Sequence, residues 1–280
     1  HAPSPLYFST NLAAAISRLS DVPLVVTNHG LISQTAPGWV QRLFLPTVGR
    51  FTFNAADRIL CYTDADRSRL ETRGIQTPIE VITNGIDCQR FTPGRESATR
   101  QLLFVGRLTD AKGLPALLDA LDRLAAEYPD LTLRVVGDGP GRERYERECR
   151  RRGIEDRVEF VGDVSYASMP QYYRESTVFV LPSDAEGLPR TMLEAMACET
   201  PVVTSSLPQL ESVVDGAGLT VDGDSPAAIA DAVGRLLEDE ALRRRFGQNG
   251  RQRVLDENVW SRTVDETTAV LAEVVDDTAR

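Results

Sequence analysis

Short apolar bursts of four to six residues recur along the chain, each separated from the next by a stretch whose apolar positions repeat at helical spacing. That alternation predicts a parallel sheet with crossover helices, because a strand covered on both faces carries apolar residues at almost every position. The fold class read from it is α/β. Candidate strands cover residues 24–27, 58–61, 80–82, 102–105, 131–136, 158–161, 178–181 and 202–204. Most run into Gly, Asn, Asp or Ser, as expected at the carboxyl edge of a parallel sheet, where open α/β proteins bind their ligands. Leu114, Leu117, Leu118, Leu121 and Leu124 share one face of a helix that should pack on the sheet. Residues 142–152 are almost wholly charged and end at Gly153, which predicts a solvated helix with a glycine stop. Ser225 and Pro226 predict an N-cap and first helical position for residues 226–237, and two more helices close the chain.

A length of 280 residues exceeds what one core usually fills and suits two. Residues 88–100 hold Pro93 and Gly94, lack an apolar period and separate two runs of strands. We therefore expect a first Rossmann-like domain over 1–95, a second over 96–260, and a terminal helix over 261–280 that crosses back to the first domain.

Composition narrows the function classes. No window approaches the ~18 apolar residues of a membrane span, and a cytoplasmic location is expected. The balance of 41 acidic against 31 basic residues, net −10, opposes binding to nucleic acid. Cys61, Cys88, Cys149 and Cys198 lie far apart, and His1 and His29 pair neither with them nor with each other, so no bound metal is expected. Asp64-Ala65-Asp66 reads better as a helix start than as a metal motif, because no further oxygen ligands stand nearby. Only Lys112 of the 31 basic residues is lysine. The arginine-rich, acidic composition resembles that of proteins adapted to high salt, and it makes the single lysine, just before Gly113, a candidate for chemistry.

The strongest chemical signal is the segment from Glu186 to Ala197, EGLPRTMLEAMA, which follows the candidate strand 178–181. Pro189 suits a first helical turn, which puts Glu186 in the preceding loop and Glu194 about 7 Å along the helix. The backbone amides of Gly187, Leu188 and Arg190 would face an anion or sugar oxygens, and the two carboxylates could each take paired hydroxyls. The bland reading is that Glu186 favours the positive end of a helix while Glu194 faces water. A second signal, FVGRLTDAKG, ends another strand. Its Arg107 and Lys112 could clamp a diphosphate, one by bidentate contacts and the other as a point charge. A surface Arg and Lys would be the ordinary explanation, and the scarcity of lysine weighs against it.

At these residues the chain resembles the family four retaining glycosyltransferases of the GT-B type, enzymes that move a sugar from a nucleotide donor. The similarity runs through TNHG (27–30), NGID (84–87), FVGRL with KG, VVGDGP (135–140), VEFVGDV (158–164) and EGLPRTMLEAMACETPVV. The resemblance implies a GT-B architecture of two Rossmann-like domains, the first one incomplete because further strands and a glycine-rich loop would normally precede His1. It implies that Arg107 and Lys112 hold the donor diphosphate, Glu194 the ribose, and Glu186 the transferred sugar. Gly187, Leu188, Pro189 and Arg190 would contact the donor, and the loop of Gly162, Asp163 and Val164 the base. His1 would stand near the reacting sugar, whereas His29 reads as supporting its loop. The implied reaction transfers sugar with retention to an acceptor such as a glycan, lipid or small molecule, with the nucleotide sugar as co-substrate and no cofactor. The same resemblance is compatible with a peripheral contact at the inner membrane surface through sequence preceding His1.

Three departures qualify it: Glu199 stands where glycine is common, Ser206 to Glu211 replaces a double glycine, and the start differs. Two competing readings remain. A truncated chain could bind nucleotide or a partner without turnover. An NAD-dependent Rossmann enzyme is disfavoured, because the third glycine of Gly137, Gly139 and Gly141 comes one residue early for the dinucleotide fingerprint.

Overall fold

The computed structural model describes residues 1–4, 7–29, 43–94 and 99–278. Gly30, the end of the TNHG motif, and the expected domain boundary at residue 95 lie outside the described residues. The chain divides into two compact units. The first holds His1–Gly85, Glu186–Leu188 and Trp260–Arg280, and the second Ile86–Ala185 and Pro189–Val259.

In the first unit three parallel strands, β1 (Val25–Thr27), β2 (Arg58–Cys61) and β3 (Ile79–Val81), lie in that order. The chain start runs beside β1: the Ala2 amide donates to the Val25 carbonyl at 2.8 Å and the Thr27 amide to the Ala2 carbonyl at 2.9 Å. Helices α1 (Phe8–Ser20), α2 (Arg50–Ala55) and α3 (Asp64–Thr72) follow the expected αβ alternation. Thr63 caps α3 by accepting from the Asp66 amide, so Asp64 and Asp66 do stand at a helix start. Helix α1 buries Ala14 and Thr10, while Phe8, Leu12, Ile16 and Leu19 form an exposed apolar stripe on it.

The second unit is a six-stranded parallel sheet ordered β6-β5-β4-β7-β8-β9. Its strands are β4 (Gln101–Val105), β5 (Thr132–Val136), β6 (Val158–Gly162), β7 (Val178–Leu181), β8 (Val202–Ser205) and β9 (Gly218–Val221). The chain steps outward from β4 through β6, returns past β4 to β7 and continues outward on the other side. That reversal creates a switch point between β4 and β7, the kind of position at which open α/β sheets bind their ligands. Helix α4 (Leu114–Leu124) buries all five leucines of its expected face, each contributing about 1.5–3 kcal/mol. The charged helix α5 (Arg142–Arg152) stops at Gly153 in the left-handed conformation, φ 70°. Helices α6 (Met169–Arg174), α7 (Arg190–Ala197), α8 (Pro208–Val214), α9 (Pro226–Glu238) and α10 (Glu240–Glu257) complete the unit, and α11 (Trp260–Thr278) belongs to the first. Strand β9 and helices α1, α2, α6 and α8 were not singled out by the sequence pattern. Gly218–Val221 interrupts its apolar run with Thr220, and α2, α6 and α8 are too short to show a period.

No helix among the described residues is long and apolar enough to cross a membrane.

Candidate functional site

Two loops that the sequence singled out leave the two strands flanking the switch point. The loop after β4 carries Arg107 and Lys112, and the loop after β7 leads to α7. Gly113 joins them. Its φ of 71° suits glycine, and a Cβ there would lie 1.8 Å from the Pro182 carbonyl oxygen. The Asp184 amide donates to the Ala111 carbonyl at 3.0 Å. Lys112 closes a 3₁₀ turn, Asp110–Lys112, immediately before that glycine.

On the other side of β4, the loops after β4, β5 and β6 are hydrogen-bonded to one another. The Gly106 amide donates to Val136 at 3.0 Å, the Leu108 amide to Asp138 at 2.9 Å and the Gly137 amide to Gly162 at 2.9 Å. Gly137 (φ 117°) brings its α-carbon against the Gly106 carbonyl, where a Cβ would sit 2.2 Å from the oxygen. Gly139 is pressed against Leu108 in the same way. These glycines serve contacts between the protein's own loops, which explains a spacing unlike that of a dinucleotide fingerprint. A cavity of about 430 Å³ opens above them, lined by Gly106, Arg107, Gly137, Asp138, Asp163 and Val164 among others. Arg107 therefore shares one cavity with Asp163 and Val164, two of the three expected base-contacting residues; Gly162 does not line it.

Glu194 lies on α7, whose N-cap is Pro189. Its side chain does not face water. It is 4% exposed, and the buried Tyr173 hydroxyl donates to its Oε2 at 2.8 Å. Burial pushes its carboxyl above the ordinary glutamate range, and the bond from Tyr173, the charge of Arg190 and a bond to Tyr166 pull it back. Arg190 donates to the Tyr166 hydroxyl at 3.2 Å and stacks over its ring, as Arg90 does from 5.2 Å. Tyr166 and Tyr173 escaped the sequence reading because each stands in a polar stretch with no period.

Within the first unit, His1 Nε2 lies 2.6 Å from the Thr27 hydroxyl at the end of β1. Glu186, Gly187 and Leu188 pack with this unit. Asn84 donates to the Leu188 carbonyl at 2.6 Å, and a Cβ on Gly187 would come within 3.0 Å of the His29 carbonyl oxygen. His29 Nδ1 stands 2.5 Å from the Tyr62 hydroxyl at the end of β2, and burial lowers its pKa. His1, Glu186, Gly187 and Leu188 thus belong to one unit, and Arg107, Lys112, Gly162, Asp163, Val164, Pro189, Arg190 and Glu194 to the other. Among the described residues no three His, Cys, Asp or Glu side chains gather as a metal ligand set.

Residues 86–253 match the family described as Glycosyl transferases group 1, and residues 1–90 match Glycosyltransferase Family 4. The chain belongs to the group 1 glycosyltransferases. The chain is 33% identical over 247 residues to D-inositol 3-phosphate glycosyltransferase 2 of Catenulispora acidiphila, covering 80% of the chain and 58% of that relative. It is 31% identical over 258 residues to the GDP-mannose-dependent alpha-(1-6)-phosphatidylinositol monomannoside mannosyltransferase of Mycolicibacterium smegmatis, covering 85% and 66%. The chain thus spans less than two thirds of either relative. Among solved structures it resembles sucrose-phosphate synthase from Thermosynechococcus elongatus (TM-score 0.86, 25% identity, 98% of this chain and 73% of that one). It also resembles Anabaena HepE in complex with UDP (TM-score 0.80, 21% identity, 95% and 76%), a likeness of fold. The fold is α/β with parallel sheets of the GT-B kind.

Two departures from the family pattern have structural answers in this chain. Glu199 adopts the left-handed backbone conformation, φ 61°, that a glycine would take after a helix end. In place of the double glycine, Ser206 donates to the Glu211 carboxylate at 2.8 Å, across the start of α8.

Proposed function

We propose that the protein transfers a sugar from a nucleoside-diphosphate sugar to an acceptor hydroxyl with retention of anomeric configuration, the donor lying at the carboxyl ends of the second unit's strands. The observation that carries this reading is the shared cavity of Arg107, Gly106, Asp163 and Val164 beside the switch point, in a chain of this family. Base and ribose suit the crevice over β4 to β6, with Glu194 accepting from ribose hydroxyls. Arg107 and Lys112 would hold the diphosphate and stabilise the charge that develops as it leaves, an electrostatic contribution typically worth a few kcal/mol. Glu186 and His1 would take the transferred sugar, with the backbone from Gly187 through Arg190 supplying donors. The diphosphate clamp consists of side-chain cations, so its chemistry needs no metal.

The test is calorimetric titration of the chain with UDP-, GDP- and ADP-sugars, followed by hydrolysis and transfer assays with the product's anomeric configuration read by NMR. Binding of one nucleotide series, weakened by Arg107→Ala, supports the reading. Failure of every nucleotide to bind overturns it. Binding without hydrolysis or transfer reduces it to nucleotide-sugar binding. An inverted product refutes retention alone.

A further inference from the structure

The other half of the second unit's sheet ends in a separate cavity of about 350 Å³, beyond the strand ends of β7, β8 and β9. Its polar lining is acidic and hydroxylic: Asp184, Asp222 and Asp224 with Ser183, Ser205 and Ser206. Two of these are already used. Asp222 accepts from the Asp224 amide at 3.2 Å in its own turn, and Ser206 donates to Glu211. Ser183 and Ser205 are not. Ser183 is fully buried and Ser205 is 5% exposed, and neither hydroxyl has a hydrogen-bond partner. A buried hydroxyl without a partner is destabilising, so two of them lining one cavity call for something that supplies contacts.

Asp184 and Asp224 identify what that is. Both side chains line the same cavity of about 350 Å³. Two carboxylates sharing one small site call for a shared proton or a positive charge between them. The floor of the cavity is also rich in oxygen. A Cβ on Gly223 would lie 2.3 Å from the Ser205 hydroxyl and 2.9 Å from the Pro182 carbonyl oxygen, so glycine leaves open a space that those two oxygens face.

We propose that this cavity holds a partly hydrated divalent cation of the calcium type, bound by the carboxylates of Asp184 and Asp224 and the hydroxyls of Ser183 and Ser205. The set is oxygen only, which selects a hard cation. Two carboxylates match a charge of two. The mixed carboxylate, hydroxyl and water coordination suits calcium, which tolerates irregular geometry, better than magnesium, which demands a near-ideal octahedron. With only two carboxylates the site falls short of the three-carboxylate cluster absent among the described residues. It also departs from the sequence expectation of no bound metal, which weighed cysteine, histidine and the Asp64-Ala65-Asp66 run but could not bring Asp184 to Asp224. None of the four proposed ligands is among the residues assigned to the donor.

The experiment uses the 280-residue chain stripped with chelator, at ionic strength held constant with choline chloride, titrated with calcium, magnesium or potassium chloride alone. Calorimetry and thermal unfolding are the readouts. Calcium is expected to bind saturably with Kd of roughly 1 mM, raising the Tm by about 3 °C at ten times Kd. Asp224→Asn should melt higher than the parent without cation, because one carboxylate charge is gone, and should no longer respond to calcium. Ser183→Ala should weaken calcium binding roughly tenfold. A calcium response no larger than that of choline, or one that survives in Asp224→Asn, overturns the site and leaves the serines to water. A response to potassium alone overturns the divalent assignment.

Discussion

The Tyr173 hydroxyl donates to Glu194 at 2.8 Å, and the two side chains are 0% and 4% exposed. A carboxylate so placed is kept for a reason other than stability. Its folded-state pKa is raised, so its contribution to stability is full below the ordinary glutamate range and is lost as pH rises through the raised value. Near neutral pH the ionised form costs the fold. Glu194→Gln, which still accepts from Tyr173, should therefore melt higher than the parent near neutral pH, with the difference vanishing on acidification. The same variant should bind donor about tenfold or more weakly. A Tm equal to or below the parent's would refute the cost.

Tyr173→Phe removes the bond that draws the Glu194 carboxyl back down. We expect a loss of about 1–3 kcal/mol in urea unfolding. The acid limb of donor binding should also move to higher pH, because Glu194 then takes up its proton more readily. A change in stability with an unmoved pH profile would assign Tyr173 to packing alone.

Lys112→Ala should lower kcat/KM by about 10²-fold in a turnover assay, as expected for loss of a preorganised charge at a leaving diphosphate. Its side chain is half-buried on a short turn, so the Tm should shift little. Undiminished turnover would remove the lysine from the clamp.

Glu199 and Gly113 share the left-handed conformation and should respond in opposite directions. Glu199→Gly relieves a backbone strain of about 1–2 kcal/mol and should raise the Tm. Gly113→Ala adds strain and drives a Cβ to 1.8 Å from the Pro182 carbonyl. It should cost more than about 1 kcal/mol and, by displacing the turn that carries Lys112, lower activity too. Denaturant curves on the two variants check both signs.

Burial pushes the thiols of Cys61 and Cys198 up to about 12 and that of Cys149 to about 11. Cys88 is half-buried and is raised less. Thiolates are the reactive species, so a colorimetric thiol reagent in mild alkali should modify Cys88 first and the others only as the protein unfolds. Rapid labelling of all four in the native state would contradict this.

Much of the architecture was legible from composition along the chain. Apolar bursts marked strands β1 to β8 within about a residue: β1, β7 and β8 are buried at every position, and β3, β5 and β6 were legible despite Glu80, Arg134 and Glu159. The five leucines of α4, the cap at Ser225 and the stop at Gly153 were equally local. Strand β9 was lost because Thr220 interrupts a run of only four residues.

The sequence by itself determined the αβ alternation and the two loops that carry the candidate residues, since both follow from patterns a few residues long. Only the tertiary structure decided that β4 and β7, 76 positions apart at Leu102 and Val178, are neighbours, because strand order depends on which crossovers bury the most apolar surface together. It alone turned Glu194 inward onto Tyr173, grouped Glu186 with the first unit, and brought Asp184 against Asp224. Such meetings are set by the packing of distant segments, and no local spacing encodes them.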